Sequence, residues 1–561
     1  MIAVKHPDAG FMQSRQVLPD LLTGHEPGRD AFHRVSIFYG LKSAFRLKEK
    51  VSQNCNNCYT FGALRCWFLV IAIVCLSLAW AAAAPAPSKP NFIFILTDDL
   101  GYGDVGCFGQ QKIHTPHLDR MAAGGMRFTQ HYAGNAVCAP SRCVLLTGQH
   151  PGHAFIRDNR ELKPEGQEPL PEGTVTLAKL LQQQGYATGV FGKWGLGGPG
   201  SSGDPLKQGF DRFYGYNCQR HAHHYYPTSL WDNDRRVVLD NPAFSPYQKL
   251  PPGADAKDPK HYAGFIGKQY APDLIAEQGR RFIREHRARP FFLYFATTVP
   301  HLALQVPEDS LLEYLGQWPD EPYPGTNAYL PHMAPRAAYA AMITRLDREV
   351  GRMMGLVQEL GLDERTVFVF TSDNGPLYDQ LGGTDTGFFN SAGGFRGRKG
   401  SLYEGGIRVP CIVRWKGRIP AGTSADRVTG FEDWLPTFLE LAGAKGAIPE
   451  GLDGLSFAPT LLGRTQRARP FLYREFPGYG GQQSVRLGDW KGVRQQVAPR
   501  GQEGAPQMRI ELYDLGQDPG EATEVSARHP RVVSRLERLM RAQHTPSREF
   551  PFPALDALSG R

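Results

Sequence analysis

Four short segments of this chain are apolar almost throughout and then stop at polar or charged residues. They are Asn91-Phe92-Ile93-Phe94-Ile95-Leu96-Thr97 before Asp98-Asp99, and Tyr186-Ala187-Thr188-Gly189-Val190-Phe191-Gly192 before Lys193. The other two are Pro290-Phe291-Phe292-Leu293-Tyr294-Phe295-Ala296, leading to Pro300-His301, and Thr366-Val367-Phe368-Val369-Phe370-Thr371-Ser372 before Asp373-Asn374-Gly375. Continuous rather than alternating hydrophobicity marks a strand covered on both faces, the condition of a parallel sheet between two helical layers. Helical patterns fall between the runs. Residues 175–184 place Leu177, Leu180 and Leu181 on one face with Gly185 as a stop, and residues 336–360 repeat Ile343, Leu346, Val350, Met353 or Met354, Val357 and Leu360 before Gly361. The methionines in that stripe read as packing. The expected fold class is α/β, a large and mostly parallel sheet sandwiched by helices. Ligands of such sheets gather outside the carboxyl ends of the strands, so the four runs would bring Asp98, Asp99, Lys193, His301, Asp373 and Asn374 to one rim.

At 561 residues the chain exceeds one typical domain. Beyond about residue 465 the texture changes: 484–491 and 511–515 read as short strands between polar loops, and 530–543 as a helix. The expected organisation is therefore a large domain over 88–465 and a smaller one over 466–561. Pro/Gly-rich stretches at 197–209 and 316–335 read as surface loops. The formal net charge is +8, but no dense Lys/Arg block is present, so a nucleic-acid partner is not expected. Residues 66–84 (CWFLVIAIVCLSLAWAAAA) follow Arg65 and end in alanines. A basic flank, an apolar run and a small-residue exit read as a secretory signal, with the mature chain starting near residue 85. Its length would also allow a membrane anchor if it stayed uncleaved. Residues 1–65 have no core pattern and read as an upstream segment with a misassigned start, the true one lying further on, for example at Val51. The expected location is secreted or periplasmic. Of nine cysteines, five follow the signal, at 107, 138, 143, 218 and 411. Their spacing suits neither a zinc site nor a disulfide scaffold.

Cys138 stands out among them. It opens Cys138-Ala139-Pro140-Ser141-Arg142-Cys143-Val144-Leu145-Leu146-Thr147-Gly148. Pro140 suits the first turn of a helix, where its missing N–H has no partner anyway. A helix from about Ser141 to Thr147 would aim its positive end at residue 138 and favour an anion there. Arg142 adds a guanidinium within one turn. Asp98-Asp99 and Asp373-Asn374 offer only oxygen donors, which suit a hard divalent cation such as Ca²⁺, with Mg²⁺ as second choice.

Residues 138–148 follow the pattern C-x-P-S-R-x-x-x-L-T-G and so resemble the sequence that marks sulfatases for conversion of a cysteine to formylglycine. The resemblance extends over most of residues 90–465 and more faintly through the C-terminal part. It implies an alkaline-phosphatase-like fold with a small C-terminal antiparallel sheet and helix. It implies a maturation enzyme that makes formylglycine from Cys138, and a calcium ion held by Asp98, Asp99, Asp373, Asn374 and the modified Cys138. In the family the aldehyde hydrate carries two hydroxyls: one attacks sulfur and the other expels sulfate as the aldehyde re-forms. Lys193 and Lys399 resemble the two lysines that hold sulfate, His301 the histidine near the leaving-group oxygen, and Arg142 the arginine that secures the hydrate.

One position departs from the family pattern. Many sulfatases have histidine two residues after the first lysine, where this chain has Gly195. His221, His223 and His224 are the nearest replacements in sequence, with His223 the catalytic candidate and His221 and His223 candidates for substrate binding. The expected activity is hydrolysis of a sulfate ester, on a sulfated small molecule or glycan. The alternatives are a phosphonate or phosphate ester hydrolase of the same fold, or a binder of sulfated glycans without turnover. A pure binder, however, has no need of Cys138.

Overall fold

The structure, a computed structural model, describes residues 89–499 and 505–558. The upstream segment and the signal expected over 66–84 lie outside these. The four apolar runs are strands Asn91–Asp98, Ala187–Lys193, Phe291–Pro300 and Thr366–Ser372, and almost every residue in them is buried. They sit in a ten-stranded sheet. Its parallel centre runs Thr366–Ser372, Asn91–Asp98, Phe291–Pro300, Ala187–Lys193, Arg212–Tyr216. Strands that each pair antiparallel with their inner neighbour flank that centre: Cys411–Arg414 and then Met126–Phe128 on one side, Ser229–Asp232 and then Arg235–Val238 on the other. Thr423–Ala425 closes the first edge, parallel to Met126–Phe128.

Successive side chains of Asn91–Asp98 point into two different cores, as alternation along a strand requires. Ile93 and Ile95 join Ile275, Phe282, Met342 and Met353 from helices Ala271–Glu285 and Pro335–Glu359. Phe92, Phe94 and Leu96 join Leu145, Leu177 and Phe438 from helices Cys138–Thr147, Leu177–Gln183 and Trp434–Leu441. Phe92 stacks on Phe438 with ring centroids 4.3 Å apart, and Trp434 meets Phe94 edge-on at 5.4 Å. This two-sided covering is what the uninterrupted apolar runs require.

The C-terminal sheet has four antiparallel strands, Leu472–Phe476, Gln482–Leu487, Trp490–Arg494 and Glu511–Asp514. The stretch 484–491, expected as one strand, spans two joined by a tight turn: Gly488, at φ 62, reverses the chain so that Leu487 pairs with Trp490. Helix Pro530–Ala542 buries Leu536 and Met540 against the sheet. No helix among the described residues is long and apolar enough to cross a membrane. The five described cysteines are all free.

Candidate functional site

Strand register builds the site. Thr97 lies opposite Ser372, Asp98 opposite Pro300, and Gly192 opposite Ala296, so the polar ends of all four runs share one rim. Asp99 takes φ 66, a left-handed conformation uncommon outside glycine. Its N–H is held by Asp373 Oδ1 at 3.2 Å. That turn lets two consecutive carboxylates reach one centre.

The helix carrying Cys138 begins earlier than expected. It spans Cys138–Thr147, with Val137 as its extended N-cap. The nucleophile candidate is therefore the first residue of the helix and not a residue beyond its end. The physical reason is that Pro140 sits at the third position, whose N–H has no intrahelical partner anyway. Ser141 N–H makes the first bond, to Val137 O at 3.2 Å, and Asn159 Oδ1 takes the free Ala139 N–H at 3.0 Å. The helix is buried throughout.

Nine of the expected residues converge. Cys138 Sγ lies 3.4 Å from Asp98 Oδ1 and 3.6 Å from Lys399 Nζ. Lys193 Nζ meets Asp98 Oδ2 at 2.6 Å, and Lys399 Nζ meets Asp99 at 2.9 Å. Arg142 grips Asp373 Oδ2 through Nη2 at 2.8 Å and Nε at 3.1 Å, and donates Nη1 to the Lys193 carbonyl at 2.6 Å. Asn374 Nδ2 donates to Asp99 Oδ1 at 2.6 Å. His301 donates Nδ1–H to the Leu302 carbonyl at 2.6 Å, which leaves Nε2 facing Asp99 Oδ2 at 3.4 Å.

Burial sharpens the electrostatics. It pushes the Cys138 thiol up to about 12, aided by Asp98, so the encoded cysteine is a protonated thiol at neutral pH. Burial alone would raise Asp98, but Lys193, His301 and Arg142 outweigh it and hold that carboxyl well below its usual range. Asp373 is pushed up to about 6 by burial and by the Asp98 charge, against Arg142. Asp99 is raised as well, by burial, with Lys399 opposing.

One carboxylate oxygen from each of Asp98, Asp99 and Asp373 and the Cys138 sulfur all lie within 4.8 Å of one another. Asn374 Oδ1 is buried without a hydrogen-bond partner among the described residues. An acceptor oxygen left unpaired beside three carboxylates suits a hard divalent cation, which supplies the charge that no N–H supplies there. A second cluster, His150, His153 and Asp453, also has close ligand atoms, but its polarity is wrong for a metal. Gly152 N–H donates to His150 Nδ1, so Nε2 carries the hydrogen and points at Gln543 Oε1, 3.0 Å away. A ligating histidine donates from its other nitrogen instead. This cluster is a hydrogen-bonded clamp.

The three histidines near residue 222 separate. His223 stacks flat on His301, with centroids 4.4 Å apart and planes 7° apart, and its Nδ1 is 2.8 Å from the Tyr247 hydroxyl. His221 lies apart, 3.2 Å from Glu165. His224 is tied to the Phe244 carbonyl and the Tyr226 N–H. The residue packed over Gly195 is Gln219: a Cβ at 195 would meet Nε2 of Gln219 at 3.1 Å, and Nε2 has no hydrogen-bond partner among the described residues. Sequence reasoning missed Gln219, Tyr247 and Tyr329, the last flanking both His223 and His301. All three lie in segments without periodicity or motif, and no local signal marks them.

A buried cluster of paired acids and bases at the carboxyl edge of a parallel sheet defines an α/β protein whose acidic centre has the donor set for a metal ion. Residues 90–444 match the family model described as Sulfatase, and residues 394–545 match that described as N-sulphoglucosamine sulphohydrolase, C-terminal. Arylsulfatase A of Homo sapiens is 34% identical over 502 residues, covering 83% of this chain and 89% of that protein. The N-acetylgalactosamine-6-O-sulfatase of Bacteroides thetaiotaomicron is 31% identical over 516 residues, covering 82% and 93%. A solved structure from glycosaminoglycan metabolism in Bacteroides thetaiotaomicron superposes with TM-score 0.63 at 28% identity, covering 81% of this chain and 99% of that one. The chain belongs to the sulfatase family.

Proposed function

We propose that this chain hydrolyses a sulfate ester to an alcohol and inorganic sulfate through a formylglycine hydrate made from Cys138, with Ca²⁺ held by Asp98, Asp99, Asp373 and Asn374. The observation that carries the reading is the convergence of Cys138, both lysines and the Asp/Asn set around one buried centre. Bound calcium would polarise a sulfate oxygen and stabilise an ionised hydroxyl at residue 138. Three carboxylates and the three cations Arg142, Lys193 and Lys399 sum to no net charge, so a divalent ion tips the centre positive and toward an anionic ester. The family implies a hydrate at residue 138. One of its hydroxyl oxygens forms a bond to sulfur while the S–O bond to the alcohol breaks. His301, whose Nε2 faces the site without a hydrogen because Nδ1–H goes to the Leu302 carbonyl, takes the proton of the attacking hydroxyl and passes it to the departing oxygen. The second hydroxyl then loses its proton, its oxygen forms C=O, and the C–O bond to sulfate breaks. Water restores the hydrate.

The test is turnover of 4-nitrophenyl sulfate beside the matching phosphonate and phosphate esters, with peptide mass spectrometry over residues 138–148. Preference for sulfate, with formylglycine at residue 138, is expected. Preference for a phosphonate would transfer the reading to the other hydrolase class, and an active preparation with wholly unmodified cysteine would defeat the mechanism. The reading also includes export, with a mature N-terminus near residue 85 as the expected result of terminal sequencing.

Asp373 makes the calcium assignment pH-dependent. Its carboxyl, raised to about 6 in the folded chain, keeps a proton at a pH where the unfolded chain, near 3.9, has lost it. The metal-free fold therefore loses stability as pH rises from about 4 through about 6. Asp99 is shifted the same way, and Asp98 stays ionised throughout this window. Calcium binds the deprotonated form and displaces that proton. The rise in melting temperature on adding Ca²⁺ should thus be larger at pH 7.5 than at pH 5. Equal rises at both would remove Asp373 from the ligand set.

His223 is proposed to serve the sulfate-elimination step in place of the histidine absent at Gly195. Burial, then the charges of His301, Lys193 and Lys399, push its imidazole well below the usual value, so it is neutral and able to accept a proton. His223→Ala should lower kcat by roughly tenfold or more with little change in KM. Unchanged kcat would end this assignment.

A further inference from the structure

A cleft of about 590 Å³ lies beside the centre, walled by Arg220, His221, Arg236, Phe244 and Tyr247. Tyr247 links the two, since its hydroxyl bonds His223 and His223 stacks on His301. We infer that the substrate is an anionic oligosaccharide and that this cleft takes a second acidic group, on the sugar next to the one whose sulfate is cleaved. The inference rests on the sulfate-ester reading of Cys138 and names the substrate class of that site.

Two features carry it. The first is the pair of guanidiniums. Arg220 is held through Nε by Glu161 at 2.8 Å, and Arg236 through Nη2 by Glu165, which also anchors Trp231 Nε1 at 2.7 Å and His221 at 3.2 Å. The glutamates fix each guanidinium along one edge only. The side chains of Arg220 and Arg236 are 59% and 51% exposed, so their other N–H groups are open to an incoming oxyanion. Glu161 and Glu165 offset much of the positive charge, and recognition therefore works through directed, charge-assisted N–H donors. A sterol or a simple aryl group would have no use for them.

The second feature is aromatic. Tyr247, Tyr378 and Tyr479 are 38%, 42% and 47% exposed, high values for large rings. Tyr378 and Tyr479 lie over Gly400, next to Lys399, while Tyr247 stands beside His223. The tyrosines thus flank the centre on two sides, with faces suited to pack on the C–H surfaces of sugar rings and hydroxyls suited to their polar rims. A monosaccharide sulfate would fill the buried centre and leave both the rings and the cleft uncovered.

Three disaccharides test the inference, each with N-acetylgalactosamine 6-sulfate linked to glucuronic acid, to a sulfated galactose, or to plain galactose. Binding to the full chain carrying Cys138→Ala is measured by calorimetry, and turnover is measured on the active enzyme. Both acidic neighbours, or one of them, should bind at least about tenfold tighter than the neutral one, and the better of the two identifies a sulfate or a carboxylate site. Arg220→Ala with Arg236→Ala should abolish that preference, raising KM for the acidic disaccharide while leaving 4-nitrophenyl sulfate turnover within about twofold. Equal binding of acidic and neutral disaccharides overturns the inference, as does a double variant that loses aryl sulfate turnover to the same extent. Acid-selective binding without turnover of any sulfate ester would sink the sulfatase reading and leave the cleft assignment standing.

Discussion

Cys138→Ala is expected to abolish multiple turnover, by roughly 10⁴-fold or more, while the protein still folds. Removing a nucleophile leaves only positioning and electrostatics to assist the reaction. The side chain is small and 2% exposed, so truncating it trims a buried edge without opening a large cavity. Cys138→Ser separates two functions that alanine removes together. A serine hydroxyl can accept sulfate, but its ester has no second hydroxyl on the same carbon to break the C–O bond, so the sulfated enzyme accumulates. Intact-mass measurement after incubation with substrate should show one added sulfate on the serine variant and none on the alanine variant. The wild-type chain made without its maturation enzyme should retain the thiol, whose raised pKa leaves almost no thiolate, and should show little activity. Steady turnover by Cys138→Ser in a host that cannot oxidise that serine would refute the two-hydroxyl mechanism.

The second large effect is expected at Asp373. As a metal ligand alone it would cost activity with only a modest loss of fold. The structure adds a second duty, since Asp373 is the main anionic partner of the buried Arg142, through two contacts of 2.8 and 3.1 Å. The other carboxylate near Arg142, Asp98, is 3.7 Å away. Removing one member of a buried ion pair leaves the other charged and desolvated, at a cost of about 3–5 kcal/mol. Asp373→Ala should therefore lose both turnover and stability, and Asp373→Asn, which keeps an acceptor for the guanidinium, should lose turnover with a smaller loss of stability. Denaturant unfolding with and without Ca²⁺ distinguishes the two duties. Both variants should lose the calcium-dependent gain, and a wild-type gain in either would exclude Asp373 as a ligand.

How much of this was legible in the sequence follows from the range of each interaction. The strands Asn91–Asp98 and Thr366–Ser372 could be read because burial on both faces demands an unbroken apolar run, and the polar residue ending each run marks the rim. The residues 138–148 could be read because seven positions of a contiguous pattern carry the resemblance. The early start of the helix was not legible: Pro140 is compatible with any of the first three positions, and contacts of Ala139 and Ser141 with their neighbours decided between them. Nor was the hairpin within 484–491, where a single glycine turn interrupts what composition presents as one segment.

The sequence by itself determined the α/β class, the carboxyl-edge residues and Cys138, because each depends on local chemistry repeated or concentrated along the chain. Tertiary structure alone decided which of three neighbouring histidines meets His301, that Gln219 packs over Gly195, and that Asn374 Oδ1, beside the carboxylates, has no hydrogen-bond partner among the described residues. It also decided the left-handed turn at Asp99, held by a residue 274 positions away. Such arrangements come from packing between distant segments, and the free energy that selects them is shared across contacts that no short stretch of sequence contains.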